Sequence, residues 1–344
     1  MAPLAVLGAT GYTGRLVCAE ARRAGVPLRL VGRDGRRLGR VAQAGEEVRV
    51  ADARDREGLA AAFQGCFAVV SVAGPFMEIG FAPVAAAIDA GAHYLDSTGE
   101  PAFARGVYDD HSDAARARGV TLLTAFGFDY IPGDLAARLA AHGLEPLDEV
   151  VVGYSVAGAG TSRGTRRTIS TLAGEPHFAW EGGRLVESRF GATTRRITFP
   201  FGERETVEWQ GTEPLTVPRH TDVHNVRSYL RVPAAGAAAK AAPLAKLAAP
   251  ALRAFSRFGG DGPSEASRRK SRFAVVAEAR GPRGERRVAV TGSDVYGFTA
   301  LSLVRGAQAL AAGEASRAGA LAPAEAFGAA SFAQRLAPLL RIDQ

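Results

Sequence analysis

The chain has 344 residues, 47% apolar and 22% charged, with a formal net charge of +7. That length exceeds the usual single domain, so two domains are expected, and the composition is that of an ordinary globular protein. The cations are nearly all arginine and scattered rather than clustered, which argues against nucleic acid, and Cys18 and Cys66 have neither zinc-site nor disulfide-framework spacing.

The N-terminus runs straight into a strand and a glycine turn. It lacks the basic region and cleavage site of a signal peptide, and no run of 18 apolar residues follows, so a cytoplasmic protein without a spanning segment is expected. Apolar runs at 3–8, 27–32, 47–52, 67–74, 93–96 and 120–127 read as strands. Helical spacing occupies 12–24, 35–43, 55–64, 80–90 and 105–118. Such alternation predicts an α/β domain, a Rossmann-type doubly wound parallel sheet.

The first turn, VLGATGYTGRLV, carries Gly8, Gly11 and Gly14 between a strand and a helix. Glycines there make the tight turn, admit a pyrophosphate to the backbone and let helix and strand pack closely. Gly8, Ala9, Thr10, Gly11, Tyr12, Thr13 and Gly14 are therefore assigned to a dinucleotide. NAD-binding sites place an acid about twenty residues further on; here Arg33 stands nineteen residues after Gly14, followed by Asp34, Arg36 and Arg37. An arginine suits a 2′-phosphate, so NADP(H) is the expected cofactor, the alternative being that Asp34 turns inward. Asp52, after the third strand, and Ala73, Gly74 and Pro75, after the fourth, complete the expected cofactor lining.

Polar groups gather at strand ends in AGPFMEIG (73–80), HYLDSTGE (93–100) and GFDYIPGDL (127–135). Tyr94 and Tyr130 are candidate proton donors, with Asp129 orienting, while Asp96 has the simpler reading of capping the helix that follows or accepting backbone N–H bonds, and Asp134 that of serving a helix N-terminal turn. Beyond Pro132 the strands at 149–156, 196–201, 271–280 and 286–292 lengthen and alternate, predicting an inserted α+β substrate domain with a mostly antiparallel sheet. The helix start at 159–170 offers Ser162, Gly164 and Thr165, with Arg163, Arg166 and Arg167, as an anion seat or a solvated basic turn. His220 and His224 are four apart but have no third ligand, so no metal is expected. Residues 234–258 form an Ala-rich segment that could wall an extended substrate. The boundaries that follow are 1–131 with 297–344 for the nucleotide domain, and 132–296 for the substrate domain.

Taken together, GATGYTGRLV, AGPFMEIGFAPVAAAIDAGAHYLDSTGE, GFDYIPGDLAARL and the tail GALAPAEAFGAASFAQRL resemble saccharopine dehydrogenase-like oxidoreductases, most closely their branch of trans-acting enoyl reductases. The resemblance extends over nearly the whole chain, including the S-x-G-T element at 162–165. It implies NADPH-linked reduction of an activated C=C bond in a polyketide, lipid or other specialised metabolite, free or carrier-bound. Phe76, Glu100, Ser162, Gly164 and Thr165 are assigned to that substrate. The chain has GFDYIPGDL where true saccharopine reductases have a D-P-G-I-D-type segment. Two alternatives stay open: C=N reduction of the imine or saccharopine type, and a non-catalytic NADP-binding scaffold or sensor. A homodimer and a peripheral membrane contact are also left open.

Overall fold

The computed structural model describes residues 2–158, 160–166, 177–241, 260–337 and 339–343. Arg167 and most of the Ala-rich segment at 234–258 lie outside them. The chain divides into two compact units, Met1–Phe128 with Tyr296–Leu321, and Asp129–Val295 with Ala322–Gln344.

The first unit is built on seven strands: β1 (Leu4–Leu7), β2 (Leu28–Gly32), β3 (Glu47–Val50), β4 (Ala68–Ser71), β5 (His93–Asp96), β6 (Thr121–Leu123) and β15 (Gly319–Ala320). Their order is β15-β6-β5-β4-β1-β2-β3, and every pairing is parallel. The first six follow the doubly wound order 3-2-1-4-5-6, whose reversal between β1 and β4 opens a crevice at the strand ends. β1 (LAVL) and β4 (AVVS) are buried along their whole length, as strands covered on both faces must be. Between them lie helices α1 (Tyr12–Arg23), α2 (Gly35–Val41), α3 (Arg56–Phe63), α4 (Phe76–Ile79), α5 (Phe81–Asp89), α6 (Pro101–Gly106) and α7 (Ser112–Arg118).

The second unit carries a nine-stranded sheet whose main path is β10-β11-β12-β7-β13-β14-β16, with β8 and β9 attached through β12. The ranges are β7 (Leu147–Ala157), β8 (His177–Glu181), β9 (Arg184–Ser188), β10 (Thr194–Phe199), β11 (Gly202–Glu208), β12 (Val223–Leu230), β13 (Arg272–Gly281), β14 (Gly284–Ser293) and β16 (Leu340–Asp343). All its pairings are antiparallel except β12 with β7. Val151, Ile197, Phe199, Tyr229, Ala274 and Val276 form a core on this sheet. Helices α8 (Ile131–Ala141) and α9 (Glu213–Thr216) belong to the same unit.

One expected boundary is corrected here. Residues 322–344 do not return to the nucleotide unit but pack with the second one. Thr291 of β14 pairs with Arg341 of β16, and the Ala324 N–H donates to Asp134 Oδ2 at 2.8 Å. Burying this helical tail on α8 satisfies backbone groups that a solvent-exposed tail would leave to water. Only Tyr296–Leu321, holding a long helix and β15, rejoins the first sheet.

Candidate functional site

The strand ends of the first unit form the first candidate site. Gly8 sits at φ +88°, and a Cβ there would lie 3.2 Å from the Ala73 nitrogen, so the glycine turn and the end of β4 touch. A Cβ on Gly14 would come within 2.2 Å of the Gly8 carbonyl oxygen. The Gly11 N–H closes the turn on that same oxygen at 2.9 Å. Helix α1 then begins with no side-chain cap and no acidic residue in its first turn. Such a start leaves positive potential at the turn where a pyrophosphate would sit, so the residues present fit a dinucleotide.

Arg33 and Asp34 stand directly after β2. Asp34 is the N-cap of α2 and accepts the Arg37 N–H at 3.0 Å. Turning inward to a ribose would cost that cap, about 1 kcal/mol. Arg33, Arg36 and Arg37 present exposed side chains beside it. Asp52 is exposed and accepts the Arg54 N–H at 2.9 Å, so its carboxylate shapes its own turn.

The polar residues expected around the substrate end are largely committed to the main chain. Glu100 is fully buried, and its two oxygens take the N–H groups of Phe76 and Met77, each at 2.8 Å. It thus fixes the start of α4, directly after Ala73, Gly74 and Pro75, rather than facing a substrate. Asp96 Oδ1 accepts the N–H groups of Thr98 at 2.8 Å and Ala125 at 3.0 Å. Ala125 is held in the left-handed region at φ 56°, a conformation that persists where surrounding contacts enforce it.

Tyr94 is fully buried beside Asp96. The Tyr94 hydroxyl, Ser71 Oγ, Asp96 Oδ2 and Thr124 Oγ1 are buried without a hydrogen bond of normal geometry among the described residues. Burial pushes the Asp96 carboxyl up to about 6 against the pull of the Thr98 and Ala125 N–H groups. Burial, then the neighbouring Asp96, raises the Tyr94 hydroxyl well above its ordinary range. Tyr94 therefore stands as an interior hydroxyl of the first unit, while Asp129 and Tyr130 belong to the second.

Within the second unit, Asp129 is exposed. Tyr130 is buried, its hydroxyl donating to the Gln210 carbonyl at 3.4 Å. Asp134 does more than cap a helix. Its Oδ1 meets His220 Nε2 at 2.9 Å while Oδ2 holds the Ala324 N–H. Ser162 is buried and accepts the Thr165 N–H at 3.1 Å, Gly164 lies exposed in the same turn, and Arg163 pairs with Asp261 at 3.1 Å. Arg166 is likewise engaged, donating to the carbonyls of Thr161 at 2.7 Å and Gly260 at 2.8 Å.

Sequence reasoning missed a buried acid in this unit. Glu213 opens α9 with no exposure, accepting from Ser228 Oγ at 2.6 Å and from the Tyr154 hydroxyl. A Cβ on Gly133 or Gly211 would collide with these side chains. Burial pushes the Glu213 carboxyl up to about 7, against the hydroxyls of Ser228 and Tyr154. The two flanking glycines were the available signal, but nothing in the sequence brings 133, 154, 211 and 228 together.

A group whose folded value is raised stabilises the fold below its unfolded value, here near 4.5, and that contribution is lost as pH rises towards about 7. The second unit is therefore expected to lose thermal stability between pH 5 and 7.5, and Glu213→Gln is expected to flatten that slope. Melting temperatures of both proteins across this range check it; parallel curves would contradict it.

Among the described residues, no group of three or more His, Cys, Asp or Glu is placed to hold a metal, and no helix is long and apolar enough to cross a membrane. Cys18 and Cys66 are buried free thiols, raised by burial to about 12 and about 11.

Residues 8–135 match the family described as NAD(P)H-binding. A trans-acting enoyl reductase of Mycobacterium bovis is 31% identical over 211 residues, covering 57% of this chain and 50% of that protein. An Arabidopsis thaliana protein named a saccharopine dehydrogenase-like oxidoreductase is 30% identical over 149 residues, covering 38% and 33%. These alignments span between a third and a half of the relatives' lengths. In three dimensions, apo saccharopine dehydrogenase (L-Glu forming) from Saccharomyces cerevisiae matches with a TM-score of 0.65 at 12% identity, covering 100% of this chain and 99% of that one. The chain is thus similar over part of its length to trans-acting enoyl reductases and saccharopine dehydrogenase-like oxidoreductases, matches an NAD(P)H-binding family over residues 8–135, and has the saccharopine dehydrogenase fold.

Proposed function

We propose that the protein is a cytoplasmic NADPH-dependent reductase acting on an activated C=C bond of a polyketide, lipid or related metabolite, presented on an acyl carrier. The observation that carries the cofactor choice is Arg33, exposed at the end of β2 beside an Asp34 already engaged as a helix cap. The kinship with trans-acting enoyl reductases supports the C=C reading.

When bound, the reduced nicotinamide supplies a hydride. The residues of the chain bind and orient. The glycine turn and the start of α1 would hold the pyrophosphate, and Arg33 the 2′-phosphate. Ala73, Gly74 and Pro75, kept in place by Glu100, would line the nicotinamide end. Small residues there let a flat ring approach the backbone, and the α4 start clasped by Glu100 limits how far that lining moves.

Replacing Arg33 by alanine removes a charge-assisted contact of about 1.5–3 kcal/mol. NADPH binding is expected to weaken by roughly 10- to 100-fold, while NADH binding changes little; fluorescence titration of both cofactors measures this. Equal effects on both would remove the NADP(H) assignment. NADPH consumption is expected with 2-enoyl thioesters. Consumption only with amine–ketone pairs would make the reaction a C=N reduction, and tight binding without any consumption would make the protein a sensor.

A further inference from the structure

The chain has seven tyrosines. Tyr94, Tyr108, Tyr130, Tyr154 and Tyr229 are buried, whereas Tyr12 and Tyr296 each keep part of their surface open. Those two rings meet, with centroids 5.0 Å apart and planes at 85°. Tyr12 is the first residue of α1, directly after the glycine turn. Tyr296 lies in the first turn of the long helix Val295–Ala311. Both residues belong to the first unit.

The neighbours of Tyr296 fix the side from which it reaches the glycine turn. Thr299, one turn along the same helix, accepts the Phe128 N–H at 3.1 Å through Oγ1. A Cβ on Gly127 would stand 3.2 Å from Thr299 Cγ2 and 3.5 Å from the Ser97 Cβ. The helix start is therefore anchored to the segments that follow β5 and β6. In the strand order β6-β5-β4-β1-β2, those segments lie on one side of β1, and Arg33, after β2, lies on the other. A dinucleotide with its pyrophosphate at the α1 start and its 2′-phosphate at Arg33 extends its nicotinamide half towards the side of Tyr296. An edge-to-face contact leaves the faces of the ring that offers its edge clear of the other ring. The pair thus keeps a flat surface with a polar tip for a further planar group, at the end of the crevice away from Arg33.

We propose that Tyr296 is a cofactor-binding residue: with Tyr12 it forms an aromatic wall against which the nicotinamide half of NADP(H) packs. The identity of the ligand rests on the dinucleotide reading above, and not on which bond is reduced.

The test compares two ligands on the full chain by calorimetry. One is NADPH; the other is adenosine 2′,5′-bisphosphate, which has the 2′-phosphate and lacks the nicotinamide half. Tyr296→Ala is expected to weaken NADPH binding about tenfold, the worth of one aromatic pair. Its bisphosphate affinity is expected to stay that of the parent, which also shows that the variant is folded. The rise in nicotinamide fluorescence on NADPH binding is expected to shrink in the same variant. Tyr296→Phe, which keeps the ring, is expected to bind NADPH within about twofold of the parent. Equal losses for both ligands, the result of a mere prop under the glycine turn, overturn the proposal. So does an alanine variant that binds NADPH like the parent, or a phenylalanine variant as weak as the alanine one. A parent protein that binds neither ligand sinks the dinucleotide reading and the role of Tyr296 with it. A parent that binds both, without a selective loss in Tyr296→Ala, overturns the role of Tyr296 alone.

Discussion

Gly14→Ala is expected to lose roughly 100-fold in NADPH affinity, equivalent to about 2.7 kcal/mol, and to cost about 2–3 kcal/mol of stability through overpacking. The added Cβ would stand 2.2 Å from the Gly8 carbonyl oxygen, 2.9 Å from the Ala9 Cα and 2.9 Å from the Gly8 carbonyl carbon. All three are backbone atoms, so no side chain can swing aside; α1 must move away from the turn that would hold the pyrophosphate. Gly39, in the exposed part of α2, is the control, because a Cβ there meets nothing within 4 Å. Gly39→Ala is expected to be neutral or stabilising by about 0.5–1 kcal/mol, as glycine within a helix costs about that much. Melting curves and cofactor titrations of the two variants check both statements. A Gly14→Ala protein that binds NADPH like the parent would refute the close-packing account.

Asp134→Ala is expected to destabilise the second unit by about 1–3 kcal/mol, the cost of leaving its buried hydrogen-bond partners unsatisfied. The carboxylate is fully buried and joins three stretches of chain: its own helix α8, His220, and the tail through Ala324. Burial alone would raise this carboxyl, but His220, the Ala324 N–H and Thr216 more than offset it and hold it below its ordinary value. A lowered folded value means stability is fully present above the unfolded value near 3.8 and is lost as pH falls through the folded one. Chemical denaturation at pH 6 should show the full loss in Asp134→Ala, and the deficit should shrink in acid as the parent loses the same contribution. A constant deficit down to pH 2 would show that packing, not charge, carries the effect. Glu213 acts with the opposite sign, so the unit is expected to be most stable in mildly acidic solution.

The nucleotide unit was legible because its signals are local. Each parallel strand is a short apolar run, and a strand covered on both faces cannot be written otherwise. Gly8 is needed locally for its φ of +88° and Gly14 for its approach to the Gly8 carbonyl, so their spacing alone points to that turn. The second unit was less legible. β8, β9, β11 and β12 were not anticipated, since half-exposed strands such as RLVES and GERETVE carry enough charge to pass for loops. Asp96 was open to its observed role of accepting backbone N–H groups, but those of Glu100 and Asp134 could not be read, because an acid at a strand end looks the same whether it faces a ligand or binds a backbone N–H.

By itself, then, the sequence determined the alternating β-α order, the glycine turn and the arginine at the second strand end, all set by residues within about twenty positions of one another. Tertiary structure alone decided that Asp34 is a helix cap, that Glu100 clasps α4, and that residues 322–344 pack on α8. It alone placed Tyr154, Ser228 and Glu213 together. Apart from the Asp34 cap, a local bond to the Arg37 N–H, those outcomes depend on pairings between residues dozens to nearly two hundred positions apart, where burial and hydrogen-bond satisfaction, not local propensity, choose the partner.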